Sequence, residues 1–151
     1  MATPTQTALD VIKIICTPSI VEQDSSLCDS LDFISFLCNG SQLNAAIFEQ
    51  SPEFWTQLTE ILKSRIASSA SVAGSCLGAI QYLSRSGDLK ESSNTVAIRL
   101  LNKCGVYEAV MNAMQMFGSK IDDNLHLIKS GCDVIRNLSL DMVRLELSLA
   151  L

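Results

Sequence analysis

The segment LCDSLDFISFL, residues 27–37, is written three times in this chain. It returns as AGSCLGAIQYL at residues 73–83 and as IKSGCDVIRNL at residues 128–138. In each copy the apolar or small residues fall at i, i+3, i+4, i+7 and i+10. The first set is Leu27, Ser30, Leu31, Ile34 and Leu37; the second is Ala73, Cys76, Leu77, Ile80 and Leu83; the third is Ile128, Gly131, Cys132, Ile135 and Leu138. This spacing draws one stripe along a buried α-helix, and a strand of period two cannot place it on one face. A further apolar position recurs inside the stripe as Phe33, Ala79 and Val134. The small position, Ser30, Cys76 and Gly131, is expected where this helix crosses a neighbour closely.

Working outward from the stripe, the chain divides into helices separated by polar stops. Residues 1–6 read as a loose tail and residues 7–16 as a first helix, although their β-branched run also suits a strand; Thr17-Pro18 ends it because the residue before proline avoids helical geometry. Residues 18–25 read as a polar connection, with Asp24, Ser25 and Ser26 offering N-caps to a helix over 26–38. A short helix is expected over 42–49. Ser51-Pro52-Glu53 is a strong start signal for a helix over 52–66 with Trp55, Leu58, Ile61, Leu62 and Ile66 inward. The second stripe helix spans 71–84, followed by a polar connection over 85–93 and a short helix over 94–103. Gly105 separates this from a helix over 106–117 with Val106, Val110, Ala113 and Met114 inward. The third stripe helix spans 124–139, and a last helix opens at 141–151.

The recurring unit is therefore a short helix, a longer helix and a long buried helix. Leu37 and Leu83 are 46 residues apart, and Leu83 and Leu138 are 55 apart. The extra residues fall in two polar turns, near Arg85–Ser93 and Gly118–Asn124, where added loop length costs little. One unit alone leaves apolar faces open, so neighbours must cover them.

Composition bounds the class of molecule. The 151 residues carry 48% apolar and 18% charged side chains with a net charge of −5. A chain of this length buries enough surface to fold without a metal or disulfide staple. The negative charge argues against a general grip on nucleic acid or anionic membrane. The six cysteines form no C-x-x-C pair and there is one histidine, so no zinc spacing is present and reduced thiols are expected. Cys76 and Cys132 lie on the stripe, where cysteine behaves as a small hydrophobe. The N-terminus shows no signal peptide and no stretch is apolar enough to span a bilayer, so a cytoplasmic or nuclear protein is expected.

The pattern resembles the armadillo repeat. LIKSGCDVIRNLS, residues 127–139, resembles that family's third helix. AIFEQSPEFWTQLTEIL, residues 46–62, and RLLNKCGVYEAVMNAM, residues 99–114, resemble its first-to-second-helix stretch, and RLELSLAL, residues 144–151, resembles a further first helix. The resemblance implies an all-α, right-handed superhelical solenoid of about three repeats forming a single armadillo-like domain. Its units would cover about 7–40, 41–87 and 88–140, with a partial unit at 141–151. It implies a non-catalytic protein-binding or scaffold module with a concave face lined by the third helices. That face would carry Asp32, Ser35, Phe36, Gly78, Gln81, Tyr82, Asp133, Arg136 and Asn137. Importin-like members carry a tryptophan–asparagine ladder on this helix. Here Asn137 alone matches the asparagine, with Phe36 and Tyr82 in its place elsewhere. Asp32, Gly78 and Asp133 stand where the tryptophan would be. A nuclear-import role is therefore not expected. The mixture suits a protein or peptide partner with basic or apolar side chains.

Residue sets for catalysis are missing from the sequence. His126 stands alone at the start of the third stripe helix and reads as a surface residue. Asp122-Asp123 lack the glycine-spaced oxygens of a calcium loop and read as helix caps. Asn39-Gly40-Ser41 and Asn137-Leu138-Ser139 match the glycan acceptor pattern without a secretory context. Cys104, before Gly105, is a candidate exposed thiol with no adjacent base. No metal, cofactor or enzyme is expected. The alternative function is a self-associating protein, a homodimer through an open solenoid end bearing Leu145, Leu147, Leu149 and Leu151. A second alternative is a fragment of a larger multi-repeat protein.

Overall fold

The computed structural model describes residues 3–39, 42–85 and 101–150, with the backbone alone at 4, 42–45, 121, 123 and 140–150. Among the described residues every regular element is an α-helix. In order they are α1 (Pro4–Ile15), α2 (Pro18–Val21), α3 (Asp24–Cys38), α4 (Gln42–Glu49), α5 (Pro52–Ser64), α6 (Ala70–Ser84), α7 (Val106–Phe117) and α8 (Ile121–Ala150). Helical backbone at 101–103 precedes α7. The expected connection over 86–93, most of the expected helix over 94–103, and the side chains of Leu145, Leu147 and Leu149 with all of Leu151 lie outside the described residues.

The helix starts are built by short polar side chains. Ser51 Oγ accepts from the Phe54 amide at 3.2 Å, with Pro52 in the first turn, and opens α5. Ser69 Oγ accepts from the Val72 amide at 3.2 Å and opens α6. Each satisfies an amide that the helix leaves without a partner. Gly105 enters α7 with φ +73°, a left-handed conformation that glycine adopts without strain.

Several boundaries differ from the sequence reading. Thr3 Oγ1 accepts from the Gln6 amide, so α1 starts at Pro4 and residues 4–6 are its first turn rather than a tail. Pro18 nucleates one turn, α2, inside the expected connection. Asp24 is the first residue of α3, and its N-cap, Gln23, makes no side-chain capping bond. The Asp24 carboxylate instead pairs with the Arg65 guanidinium at the end of α5. α8 runs unbroken through 140–150, with no new helix opening at 141, since neither glycine nor proline follows Gly131 to stop it. Its first turn is offset from the rest by non-helical geometry at Asn124, whose Nδ2 donates to the Phe117 carbonyl at 2.9 Å.

α6 is the interior helix. It makes its main contacts with α3 on one side and α8 on the other. Ten of its fifteen residues are buried, including Gly74, Gly78, Ala73 and Ala79, the signature of a helix enclosed on most sides. All five stripe residues of the first copy and all five of the second are buried. α1, α4 and α5 complete the core, where Phe48 and Phe54 pack with planes tilted by 54° and centroids 5.0 Å apart, and Phe54 and Trp55 meet edge to face at 5.3 Å. Trp55 Nε1 donates to the Glu49 carbonyl at 3.1 Å, so the buried indole keeps a partner. The same packing holds Cys38 and Cys76 away from water, and burial pushes both thiols up to about 12.

The third copy packs one residue out of the expected register. The buried line of α8 is Leu127, Ser130, Gly131, Val134 and Leu138, while Cys132 is exposed and Ile128 and Ile135 are half-buried at its edge. The equivalent of Ser30 and Cys76 is therefore Ser130. Gly131 takes the place of Leu31 and Leu77, and Met114 from α7 fills the space. A Cβ built on Gly131 would lie 2.8 Å from Met114 Sδ and 3.7 Å from Leu77 Cδ1. Two further expectations are overturned. Cys104 is buried, its Sγ 3.8 Å from the Trp55 carbonyl. Phe33, inside the stripe by periodicity, is 41% exposed, because at about 100° of turn per residue it falls beside the buried line of α3 and not on it.

The exchange of volume between α7 and α8 gives a test. Met114→Ala should leave a cavity costing about 2 kcal/mol, and Gly131→Leu should overpack the same space by about 1–3 kcal/mol. The double substitution should recover at least about 1 kcal/mol of the sum, because the new leucine occupies what the methionine vacated. Urea unfolding of the four proteins measures this.

Candidate functional site

The three stripe helices leave a second line of side chains beside their buried one. On α6 it runs through Ser71, Gly74, Ser75, Gly78, Gln81, Tyr82 and Arg85, all within one helical strip. On α8 it runs through His126, Asp133, Arg136 and Asn137, and on α3 through Cys28, Asp32, Ser35 and Phe36. Two open depressions mark its ends. The larger, about 380 Å³, is lined by Cys28 and Asp32 from α3, Ala70, Ser71, Gly74 and Ser75 from α6, and Asn124, His126 and Leu127 from α8. The smaller, about 210 Å³, is lined by Gln81, Tyr82 and Arg85 at the end of α6 and by Asp133, Arg136 and Asn137.

Hydrogen bonds between α6 and α8 fix the smaller depression. Gln81 Nε2 donates to Asp133 Oδ2 at 2.9 Å. Asn137 Nδ2 donates to the Gln81 carbonyl and to Ser84 Oγ, each at 3.2 Å. Gln81 lies in the last turn of α6, where carbonyls lack a backbone partner; its carbonyl accepts from Ser84 Oγ at 3.2 Å on the same helix and from Asn137, which thus caps α6 from the neighbouring helix. The carboxamide is thus committed to the fold, and the groups left facing the depression are the exposed Arg85 and Arg136 guanidinium groups and the remaining Asp133 oxygen.

The nine side chains expected on the face divide into three kinds. Gln81, Tyr82, Asp133, Arg136 and Asn137 come together in the smaller depression, with Tyr82 half-buried against the core. Asp32 lines the larger depression, and Phe36 stands 71% exposed on α3. Ser35 and Gly78 lie within the contact between α3 and α6. Ser35 Oγ donates to the Leu31 carbonyl at 3.1 Å, and a Cβ on the buried Gly78 would meet Ser35 Oγ at 3.5 Å. Sequence reasoning missed Arg85, one turn beyond Gln81 and Tyr82 on the same strip, where i+4 and i+3 spacing could have found it. It also missed Cys28, Ser71, Ser75 and His126 as walls of the larger depression.

The face offers recognition groups without an activated nucleophile. Burial chiefly holds the Cys28 thiol above its ordinary value. A hydrogen bond with Ser75 opposes that shift, and the carboxylates of Asp32, Asp24 and Asp29 add to it. A protonated thiol is a poor nucleophile. The described residues contain no group of three or more His, Cys, Asp or Glu that could hold a metal ion. No described helix is long and apolar enough to cross a membrane. No family model, curated protein or solved structure matches the chain.

Because Asn137 joins α8 to the end of α6 by two hydrogen bonds, Asn137→Ala should lower stability by about 1–2 kcal/mol. Arg136→Ala, one residue away with no described bond, should change it by less than about 0.5 kcal/mol. Thermal melts of the two variants beside the parent protein check the contrast.

Proposed function

We propose that this chain is a non-catalytic protein-interaction module of armadillo type, about three three-helix units stacked as a solenoid, that binds a protein or peptide on the face shared by α3, α6 and α8. The observation that carries the reading is the side-by-side packing of the three stripe helices, with α6 in the middle. Side-by-side stacking of equivalent helices is what a solenoid requires. The same packing leaves two separate open depressions along this face and an exposed aromatic at Phe36. Exposed aromatic and arginine side chains of this kind are the residues most often found to dominate binding energy.

Phe36→Ala/Arg136→Ala tests the face, since both side chains are exposed and neither carries a described fold-stabilising bond. Tyr82 is a poorer choice because it packs against the core. In quantitative cross-linking and mass spectrometry from cells, the double variant should recover the protein's specific partners several-fold less well than the parent. Recovery unchanged across all specific partners would count against binding at this face.

A further inference from the structure

Phe33 and Phe36 stack on the solvent side of α3, with ring centroids 6.1 Å apart and planes 5° from parallel. Both rings are open to water, Phe36 the more so. The periodicity of the first stripe would place Phe33 indoors, so the pair is not a by-product of core packing. It is a preformed aromatic ledge, with Phe36 71% exposed.

The ledge carries a specific charge setting. Asp29 precedes Phe33 by four residues and Asp32 precedes Phe36 by four, so each carboxylate sits one turn before a ring on the same strip. Both are exposed. Among the described residues the ion pairs are Lys13 with Asp10 and Arg65 with Asp24, and neither Asp29 nor Asp32 takes part in a hydrogen bond or ion pair. α2, α3, α4 and α6 contain no Lys, Arg or His; of the nearby cations Arg65 at the end of α5 is paired with Asp24 and Lys13 of α1 with Asp10, while His126 of α8 shares the larger depression with Asp32 without a hydrogen bond or ion pair to it. Between Lys13 and Lys63 the chain has no basic residue at all, against Glu22, Asp24, Asp29, Asp32, Glu49, Glu53 and Glu60.

An open ring face attracts a cation, and a carboxylate one turn away holds that cation's hydrogen-bond donors. Arginine satisfies both demands at once, because its flat guanidinium stacks on the ring while its edge donates to an acid; a lysine ammonium does this less well. The same negative ridge repels phosphate backbones and anionic lipid, which leaves a protein segment as the occupant. We infer that the Phe33–Phe36 ledge docks an arginine-bearing segment of a partner protein, its guanidinium stacked on Phe36 and paired with Asp29 or Asp32. This rests on the binding-face reading above and names the chemistry of what that face takes.

The test uses the full chain against a random-peptide phage library, with enriched peptides resynthesised and measured by titration calorimetry. Enriched sequences should contain arginine, and replacing that arginine by lysine should weaken binding about three- to tenfold. Phe33→Ala/Phe36→Ala and Asp29→Asn/Asp32→Asn should each weaken it about tenfold or more with unchanged melting curves, since all four side chains are exposed. Peptides without arginine that still require Phe36 or Arg136 would overturn this inference and leave the binding face standing. Peptides insensitive to every one of these substitutions, Arg136→Ala included, would count against both. Light scattering gives the remaining outcome: a dimer of the parent chain that Phe33→Ala/Phe36→Ala converts to monomer would make a second copy the occupant and overturn the assignment.

Discussion

The close approach of α6 to α3 and α8 is the constraint on which the other features rest. Most of the α6 surface is occupied by other helices, so most of its side chains must be apolar or small. Ala73, Gly74, Gly78 and Ala79 meet that demand with little volume. Leu77 and Ile80 supply the apolar area whose removal from water drives the packing. Once α6 is enclosed, α3 and α8 are held on either side of it. The strip of side chains at the rim of these two contacts is then a surface the core has already positioned.

That strip is rigid for a second reason. Gln81 to Asp133 and Asn137 to the Gln81 carbonyl tie the end of α6 to α8. Groups that might have faced a ligand are spent on joining helices, and Arg85, Arg136 and one carboxylate oxygen remain. The exposed edge of α3 beside that strip is the opposite case. Asp29, Asp32, Phe33 and Phe36 make no bond to the rest of the described protein beyond the stacking of the two rings. Side chains that contribute little to the fold and expose aromatic surface to water have a physical rationale when something else covers them.

How far the sequence could be read follows from which forces decide each residue. The first two stripes were legible because one face of α3 and most of α6 are buried by neighbours, so periodicity alone places their residues. The third stripe was ambiguous. α8 carries apolar residues on two adjacent lines, through Leu127 and Val134 and through Ile128 and Ile135. Gly131, which Met114 of α7 approaches, belongs to both, so the choice lies in tertiary packing that leaves no local signature. Phe33 misled for a related reason: an aromatic at a repeat position equivalent to Ala79 reads as core, yet Ala79 is covered because α6 lies between two helices. Asn137 was found by analogy of position, but its capping of α6 depends on where two helix ends meet. Arg85 was within reach of simple spacing. The pairing of Asp24 with Arg65 joins residues 41 apart in the chain and had no sequence cue.

Hydrogen exchange of the native protein tests the central place of α6 most directly. If α6 is the enclosed helix that organises the fold, the amides of residues 74–83 should exchange most slowly of all, opening only with global unfolding and tracking its free energy as urea is added. The amides of α1 and of residues 140–150 should exchange faster, by local opening. Exchange at residues 74–83 as fast as in those outer segments, or insensitive to urea, would contradict the account.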